Sequence, residues 1–236
     1  MITVSIVSHG HGPMVTALIE NLRAFPTVRQ IITTLNIPES FDDKPDEIVQ
    51  FIHNVLPKGF GANHNYAFKF CSQPYFCVLN PDIEFEDDPF PELLNCLQKF
   101  NISLLAPIIV SSTGVSEDSA RVFPTWLGLL NKLFFSFKGT WPLELDKSVN
   151  YPDWIAGMFM LFDSKKFKRI KGFNEKYFLY YEDVDICRRI KSSGNSVGLC
   201  TGAKVIHHAR RTSRTNIKFM FWHIRSMFRY LFSKSF

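Results

Sequence analysis

"PYFCVLNPDIEFEDD", residues 74–88, opens with an unbroken apolar run, halts at an Asn-Pro pair and continues into acidic residues. A short continuous apolar run bounded by turn signals reads as a strand covered on both faces, as in a parallel sheet between helices. The same pattern recurs on either side. "ITVSIVS" and "RQIITTL" read as buried strands, "IVQFIHNV" as a third, and "ISLLAPIIV" as the strand after the quoted segment. Helical stretches alternate with them: from Pro13 to about residue 25, over "ANHNYAFKFC", and from about residue 89 to 100. Pro13 suits a first helical turn, where its missing N–H leaves no intrahelical bond unmade. Strands alternating with helices over the first 110 residues predict an α/β chain with a Rossmann-like, mostly parallel central sheet flanked by helices.

Beyond residue 110 the pattern loosens. Residues 111–149 are expected to be irregular, with one short helix near "WLGLLNKLFFSF". "GMFMLFD" returns to strand, "SKKFKRI" is a short helix, and the acidic cluster in "FLYYEDVDICRRI" starts a helix that runs to about residue 193. "NSVGLC" and "AKVIHH" read as two short strands, and the last 20 residues as a helix.

A chain of 236 residues supports one sizeable core. Hydrophobic content of 46% with 21% charged residues excludes wholesale disorder. Met1 leads directly into a strand pattern, which argues against a secretory leader, and no apolar run of about 18 residues offers a bilayer span. Cys71, Cys77, Cys96, Cys187 and Cys200 form no CxxC pair and are odd in number, as expected of reduced core thiols in a cytoplasmic protein. The net charge of +5 hides an asymmetry: residues 186–236 hold eleven Lys and Arg and no Asp or Glu, leaving 16 basic against 22 acidic residues before them. A cationic end implies an anionic partner: phosphate, nucleic acid or a lipid surface.

Ligands of open α/β sheets sit beyond the carboxyl ends of the strands. After the first strand, "SHGHGPMV" carries Gly10 and Gly12, but Val15 stands where a dinucleotide loop needs a third glycine. After the fourth, Asp82 leaves the Asn-Pro turn with Asn80 two residues before it. Oxygen ligands there suit Mg²⁺ or Mn²⁺ when a diphosphate completes the shell; Asn-Pro-Asp is also an ordinary turn. Glu84, Glu86, Asp87 and Asp88 read as a solvated face and helix cap. In the acidic cluster, Asp185 precedes Arg188 and Arg189 by three and four residues and is expected to pair with them. Glu182 and Asp183 have no such partner and follow the aromatic "YFLYY", a setting that raises carboxylate pKa values, so either is a candidate base. His207 and His208 end the last strand on opposite faces, so one of them can face a site. Arg210, Arg211 and Arg214 follow, cations suited to a departing diphosphate.

In the tail, Ile217, Met220, Phe221, Ile224, Met227, Phe228 and Leu231 share one helical face, with Lys218, Trp222, Arg225 and Arg229 on another. The apolar face fits either a helix closing the core or a cationic helix lying on anionic lipid.

Together, "VSIVSHG", "GFGANHN", "LNPDIEF", "WIAGMFMLFD", "GFNEKYFLYYEDVDICRRI" and "VIHH" resemble, in order and spacing, a family 2 glycosyltransferase with the GT-A fold. The initial "VSHGH" and the terminal "WH…FRYL" are most similar to the O-antigen rhamnosyltransferases. The resemblance implies Asp82 as a metal-binding acid with Asn80 in place of the first aspartate of a DxD-type site. It implies His207 completing the metal site, and Asp183 rather than Glu182 as catalytic base. Gly61, Asn63 and Asn65 fall in its nucleotide-lining segment, as do Ser8 and His9 at the end of strand one. Leu35 stands where many relatives close strand two with an aspartate, which leaves Asn36 for base recognition.

The expected activity is a Mg²⁺- or Mn²⁺-assisted inverting transfer of L-rhamnose from dTDP-L-rhamnose to a lipid-diphosphate-linked saccharide, in O-antigen-type polysaccharide synthesis. The expected location is the cytoplasmic membrane face, with peripheral contact to anionic lipid. Another donor, such as UDP-galactofuranose or a UDP-N-acetylhexosamine, or a sugar-nucleotide-binding protein without catalysis, are the alternatives. No nucleic-acid module is recognised. One domain is expected: a nucleotide-sugar half (about 1–110), an acceptor and catalytic half (about 111–215) and a basic helix (about 216–236).

Overall fold

The computed structural model describes residues 1–40, 44–128, 139–208 and 217–233. Its frame is a mixed sheet. β1 (Ile2–Ser8), β2 (Val28–Leu35), β3 (Val49–His53) and β4 (Tyr75–Leu79) run parallel in the order β3-β2-β1-β4. β6 (Leu104–Val110) and β11 (Val197–His207) form a second parallel pair. Between the halves lies β10 (Phe159–Asp163), antiparallel to both β4 and β6. The short β5 (Ile83–Glu84) and β8 (Val149–Asn150) pair antiparallel with β11, and β7 (Ala120–Arg121) with β9 (Trp154–Ile155) forms a separate ribbon.

Period-2 alternation sorts the strand residues between two cores. Ile2, Val4, Ile6, Cys77, Leu79, Leu105 and Leu161 face α1 (Gly12–Arg23) and α3 (Phe90–Lys99), meeting Leu18, Leu22, Phe90 and Leu93. Phe76, Val78, Leu104, Met160 and Phe162 face the other way, onto Phe167 of α4 (Ser164–Arg169) and Ile186 and Ile190 of α5 (Glu182–Ser192). α2 (Phe60–Phe68) places Ala67 against Ile32 and Ile52. Burial on both faces explains why these strands read as continuous apolar runs.

Two expectations change. "NSVGLC" and "AKVIHH" are one strand, β11, because a register shift between Cys200 and Lys204 absorbs the Thr-Gly-Ala segment without ending the pairing with β6. The last helix, α6 (Ile217–Phe232), does pack on the protein, but most of its apolar stripe stays outside: Ser226 and Tyr230 are buried and Met227 and Leu231 partly so, while Ile217, Met220, Phe221, Ile224 and Phe228 are exposed. The short helix expected near "WLGLLNKLFFSF" lies largely outside the described residues, as does the Arg210–Arg211–Arg214 group. All five cysteines are free, four of them buried. Among the described residues, no helix is long and apolar enough to cross a membrane.

Candidate active site

The carboxyl ends of β1, β2 and β4 open on a cleft of about 590 Å³ whose lining includes His9, Asn36, Asn63, Asn80, Asp82 and, from the opposite side, Glu182 and Asp183. Two acids separated by a hundred residues of sequence thus share one cavity. β4 delivers the first. Asn80 N–H donates to Met158 O at 2.9 Å, fixing the turn, and Asp82 O accepts from His208 N–H at 2.9 Å. The Asp82 side chain then meets His207, whose Nε2 lies 3.4 Å from Oδ2. His207 Nδ1 is held at 2.8 Å by Glu117 Oε2, an acid that sequence reasoning missed.

Burial lowers the His207 pKa, but the flanking Asp82 and then Glu117 carboxylates outweigh it and leave the imidazole above its ordinary value. Asp82 Oδ1 is buried and has no hydrogen-bond partner. An orphaned carboxylate oxygen facing an imidazole that a second carboxylate orients is a donor set that fits a divalent cation. His208, the residue after β11, instead pairs with Glu84 at 2.5 Å.

The second acid comes from α5, and the approach to that helix is strained. Tyr180 and Tyr181 both have φ of 68°, a left-handed conformation that costs non-glycine residues about 1–3 kcal/mol each. α6 clamps this segment: Ser226 Oγ donates to Leu179 O at 2.9 Å, and the Tyr181 ring lies 5.6 Å from Tyr230. Immediately after it, Asp183 Oδ1 accepts from Val184 N–H at 2.8 Å and Oδ2 from Gly157 N–H at 3.2 Å. Glu182 is only 5% exposed, and its Oε2 has no partner. Burial raises both pKa values; the neighbouring Asp183 charge raises Glu182 further, whereas backbone N–H donors restrain Asp183. Both carboxyls are thus held above their ordinary values, Glu182 by burial and its neighbour's charge, Asp183 by burial that the two backbone donors partly offset. Asp185 makes the ordinary pair expected of it, 2.7 Å from Arg189 Nε.

Tyr180, Glu182 and Asp183 also line a second cavity of about 620 Å³, walled by Arg121, Phe123, Trp154, Tyr181 and His223. The two acids thus stand at a partition between two cavities, each large enough for a sugar-sized group.

The remaining expected residues divide. Asn36 is structural as well as cleft-lining: its Nδ2 donates to Lys58 O (3.0 Å), and its Oδ1 accepts from Lys58 N–H and Asn54 Nδ2 (2.8 Å each). Asn54 also donates to Asn63 Oδ1 at 2.7 Å, so the three amides tie the ends of β2 and β3 to α2. Ser8 is buried behind the lining, donating to Glu39 Oε2 at 2.9 Å and accepting from His11 N–H. Gly61 and Asn65 face away from the cleft toward the segment before α5; Asn65 Nδ2 donates to Phe173 O at 2.9 Å and its Oδ1 accepts from Phe173 N–H. Their role there is to join α2 to the chain that carries the second acid. Arg211 lies outside the described residues.

Sequence reasoning also missed His64. Its Nδ1 shares a 2.8 Å hydrogen bond with Ser5 Oγ, its Nε2 has no partner, and burial pulls its pKa down to about 3, so it is a neutral imidazole on the cleft wall. Among the described residues, one further grouping of metal-ligand types exists, Glu92, Cys96 and Cys200. Burial, and then the Cys200 thiol 3.6 Å away, push Cys96 up to about 12, so the pair is packed as thiols.

With this geometry in hand, comparison places the chain among known proteins. The model for glycosyl transferase family 2 matches residues 33–164, more than half the chain, and one described as the N-terminal domain of galactosyltransferase matches residues 144–214. The chain is 29% identical to the rhamnosyltransferase WbbL of Escherichia coli (strain K12), covering 99% of this chain and 94% of that one. It is 25% identical to the N-acetylglucosaminyl-diphospho-decaprenol L-rhamnosyltransferase of Mycobacterium tuberculosis (strain ATCC 25618 / H37Rv), covering 98% and 84%. Among solved structures, GalNAc-T7 with UDP, GalNAc and Mn²⁺ superposes with a TM-score of 0.74 at 14% identity, over 89% of this chain and 43% of that one. The mannosyltransferase PcManGT from Pyrobaculum calidifontis, in complex with GDP-Man and Mn²⁺, gives 0.66 at 12%, over 99% and 65%. The protein is a glycosyltransferase of family 2, built on the GT-A fold.

Proposed function

We propose that the enzyme is a metal-dependent, inverting rhamnosyltransferase that moves L-rhamnose from dTDP-L-rhamnose to a lipid-diphosphate-linked saccharide at the inner membrane face, in O-antigen-type polysaccharide synthesis. The single observation that carries the reading is the convergence of Asp82 and Asp183 on one cleft. Similarity to two rhamnosyltransferases over nearly the whole chain supports the sugar, and the printed name of the mycobacterial relative supports a diphospho-lipid acceptor. The first half of the chain serves the donor and the second half the acceptor.

Asp82, His207 and Asn80 would hold Mg²⁺ or Mn²⁺; the presence of Mn²⁺ in two solved structures of the same fold supports a divalent ion. When bound, such an ion supplies Lewis-acid neutralisation of the leaving diphosphate. Glu117 fixes the imidazole so that Nε2 faces the Asp82 carboxylate. The donor occupies the cleft and the acceptor the second cavity, which puts the acceptor hydroxyl beside Asp183. The Asp183 carboxylate takes that proton as the hydroxyl attacks the anomeric carbon from the face opposite the diphosphate. Its negative charge also favours the positive charge that develops on the sugar.

A donor screen with Mn²⁺ or Mg²⁺, reading the nucleoside diphosphate released in the presence of acceptor, tests the reading. Release of dTDP from dTDP-L-rhamnose is expected, together with loss of metal-dependent donor binding in Asp82→Ala by calorimetry. Turnover of UDP-sugars alone, or unchanged donor binding in Asp82→Ala, contradicts it.

A further inference from the structure

We infer that α6 is an interfacial helix that lays an outward apolar stripe into an anionic lipid surface while its inward face walls the catalytic cleft. The inference deepens the proposed reading and rests on its lipid-linked acceptor.

At about 100° per residue, Trp222, Ser226 and Tyr230 fall on one side of the helix, and Ile217, Phe221, Ile224 and Phe228 fall about opposite them. The first group packs inward. Ser226 and Tyr230 are 5% and 4% exposed, and the Trp222 ring lies 4.7 Å from Phe178. The second group is uncovered: Ile217 is 78% exposed, Phe221 61%, Ile224 43% and Phe228 44%. A helix that only closed a core would have the reverse arrangement. The apolar surface extends beyond the helix, since exposed Trp126 stands 5.3 Å from the Phe232 ring, beside exposed Leu127.

Charge selects the occupant. Exposed Lys218 and Arg225 flank the stripe, and the sequence holds no acid from residue 186 to its last residue. A second copy docking through the same face would bring like charges together, whereas anionic headgroups complement them. Apolar side chains flanked by cations, with a tryptophan at the edge, match a helix lying in the headgroup boundary.

The inward side gives the location its purpose. Phe219 and Trp222 line the donor cleft and His223 lines the second cavity. A bilayer on the outer side of α6 is thus about one helix diameter, roughly 10 Å, from the partition that carries Asp183. A saccharide on a lipid diphosphate reaches the second cavity from that surface without leaving the membrane.

Sedimentation of the full chain with vesicles tests this, using phosphatidylcholine alone and phosphatidylcholine mixed with phosphatidylglycerol. The wild type is expected to sediment with the anionic vesicles and to be released by salt. Phe221→Glu combined with Phe228→Glu should weaken that binding at least about tenfold, with unchanged melting temperature and unchanged transfer to a water-soluble acceptor. Arg225→Glu, which removes no apolar side chain, should weaken binding to anionic vesicles as well. Failure of the wild type to sediment, equal binding by the double variant, or a dimer in sedimentation velocity that the same substitutions dissolve, overturns the inference. Vesicle binding without transfer from any sugar nucleotide leaves the lipid surface standing and removes the transferase reading instead.

Discussion

Glu182 and Asp183 are adjacent carboxylates in the first turn of α5, yet their surroundings act on them differently. Two backbone N–H donors counter the effect of burial at Asp183; Glu182 Oε2 is buried with no hydrogen-bond partner. The native Glu182 pKa is raised above its unfolded value, first by burial and then by Asp183, so the folded state binds the extra proton more tightly. Its contribution is therefore fully present at acid pH and is lost as pH rises from the unfolded value of about 4.3 through the raised native one. Glu182→Gln, neutral at every pH, should show a shallower loss of stability over that window and a higher melting temperature than wild type above it. Thermal melts of both proteins across pH provide the check; parallel curves would mean that Glu182 is charged in the native state. Asp82 is legible in the sequence because it ends a buried run at a turn. Glu117 is not: it stands 90 residues from His207 in a stretch without period, and only the folded chain brings them together.

At the scale of elements, the decisive contact joins α2 to the segment leading into α5. A Cβ on Gly59 would come within 2.6 Å of Phe178 O, and one on Gly61 within 2.6 Å of Phe173 Cβ. Both glycines permit a backbone approach that sets the distance between the two walls of the cleft, and Phe60 N–H seals it by donating to Phe178 O at 2.9 Å. Gly59→Ala forces backbone atoms apart and should destabilise by about 1–3 kcal/mol, with a larger loss of turnover than of donor affinity. Denaturant titration and kcat against KM check this; a variant with wild-type stability and rate would show the walls to be independent. The alternating strands and helices of the first half are plain in the sequence because each strand is buried on both faces. The antiparallel insertion of β10 between β4 and β6 is not, since strand direction leaves no mark on the pattern of "GMFMLFD". For α6 the period is visible, but period alone does not say which face docks.

Across the whole molecule, the sequence asymmetry becomes spatial. The two acids proposed to do chemistry come from both halves, Asp82 from the end of β4 and Asp183 from α5, while the acid-free, cationic stretch supplies the helix that clamps the second. The residues that partition the two cavities are few, Tyr180, Glu182 and Asp183, so under the proposed mechanism substrate binding and proton removal are separable. Comparing Asp183→Asn with wild type, with donor affinity measured by calorimetry and single-turnover transfer measured with saturating acceptor, addresses that separation directly. Donor affinity is expected within about twofold of wild type and the transfer rate lower by at least about 10²-fold. Transfer at the wild-type rate in Asp183→Asn would contradict it.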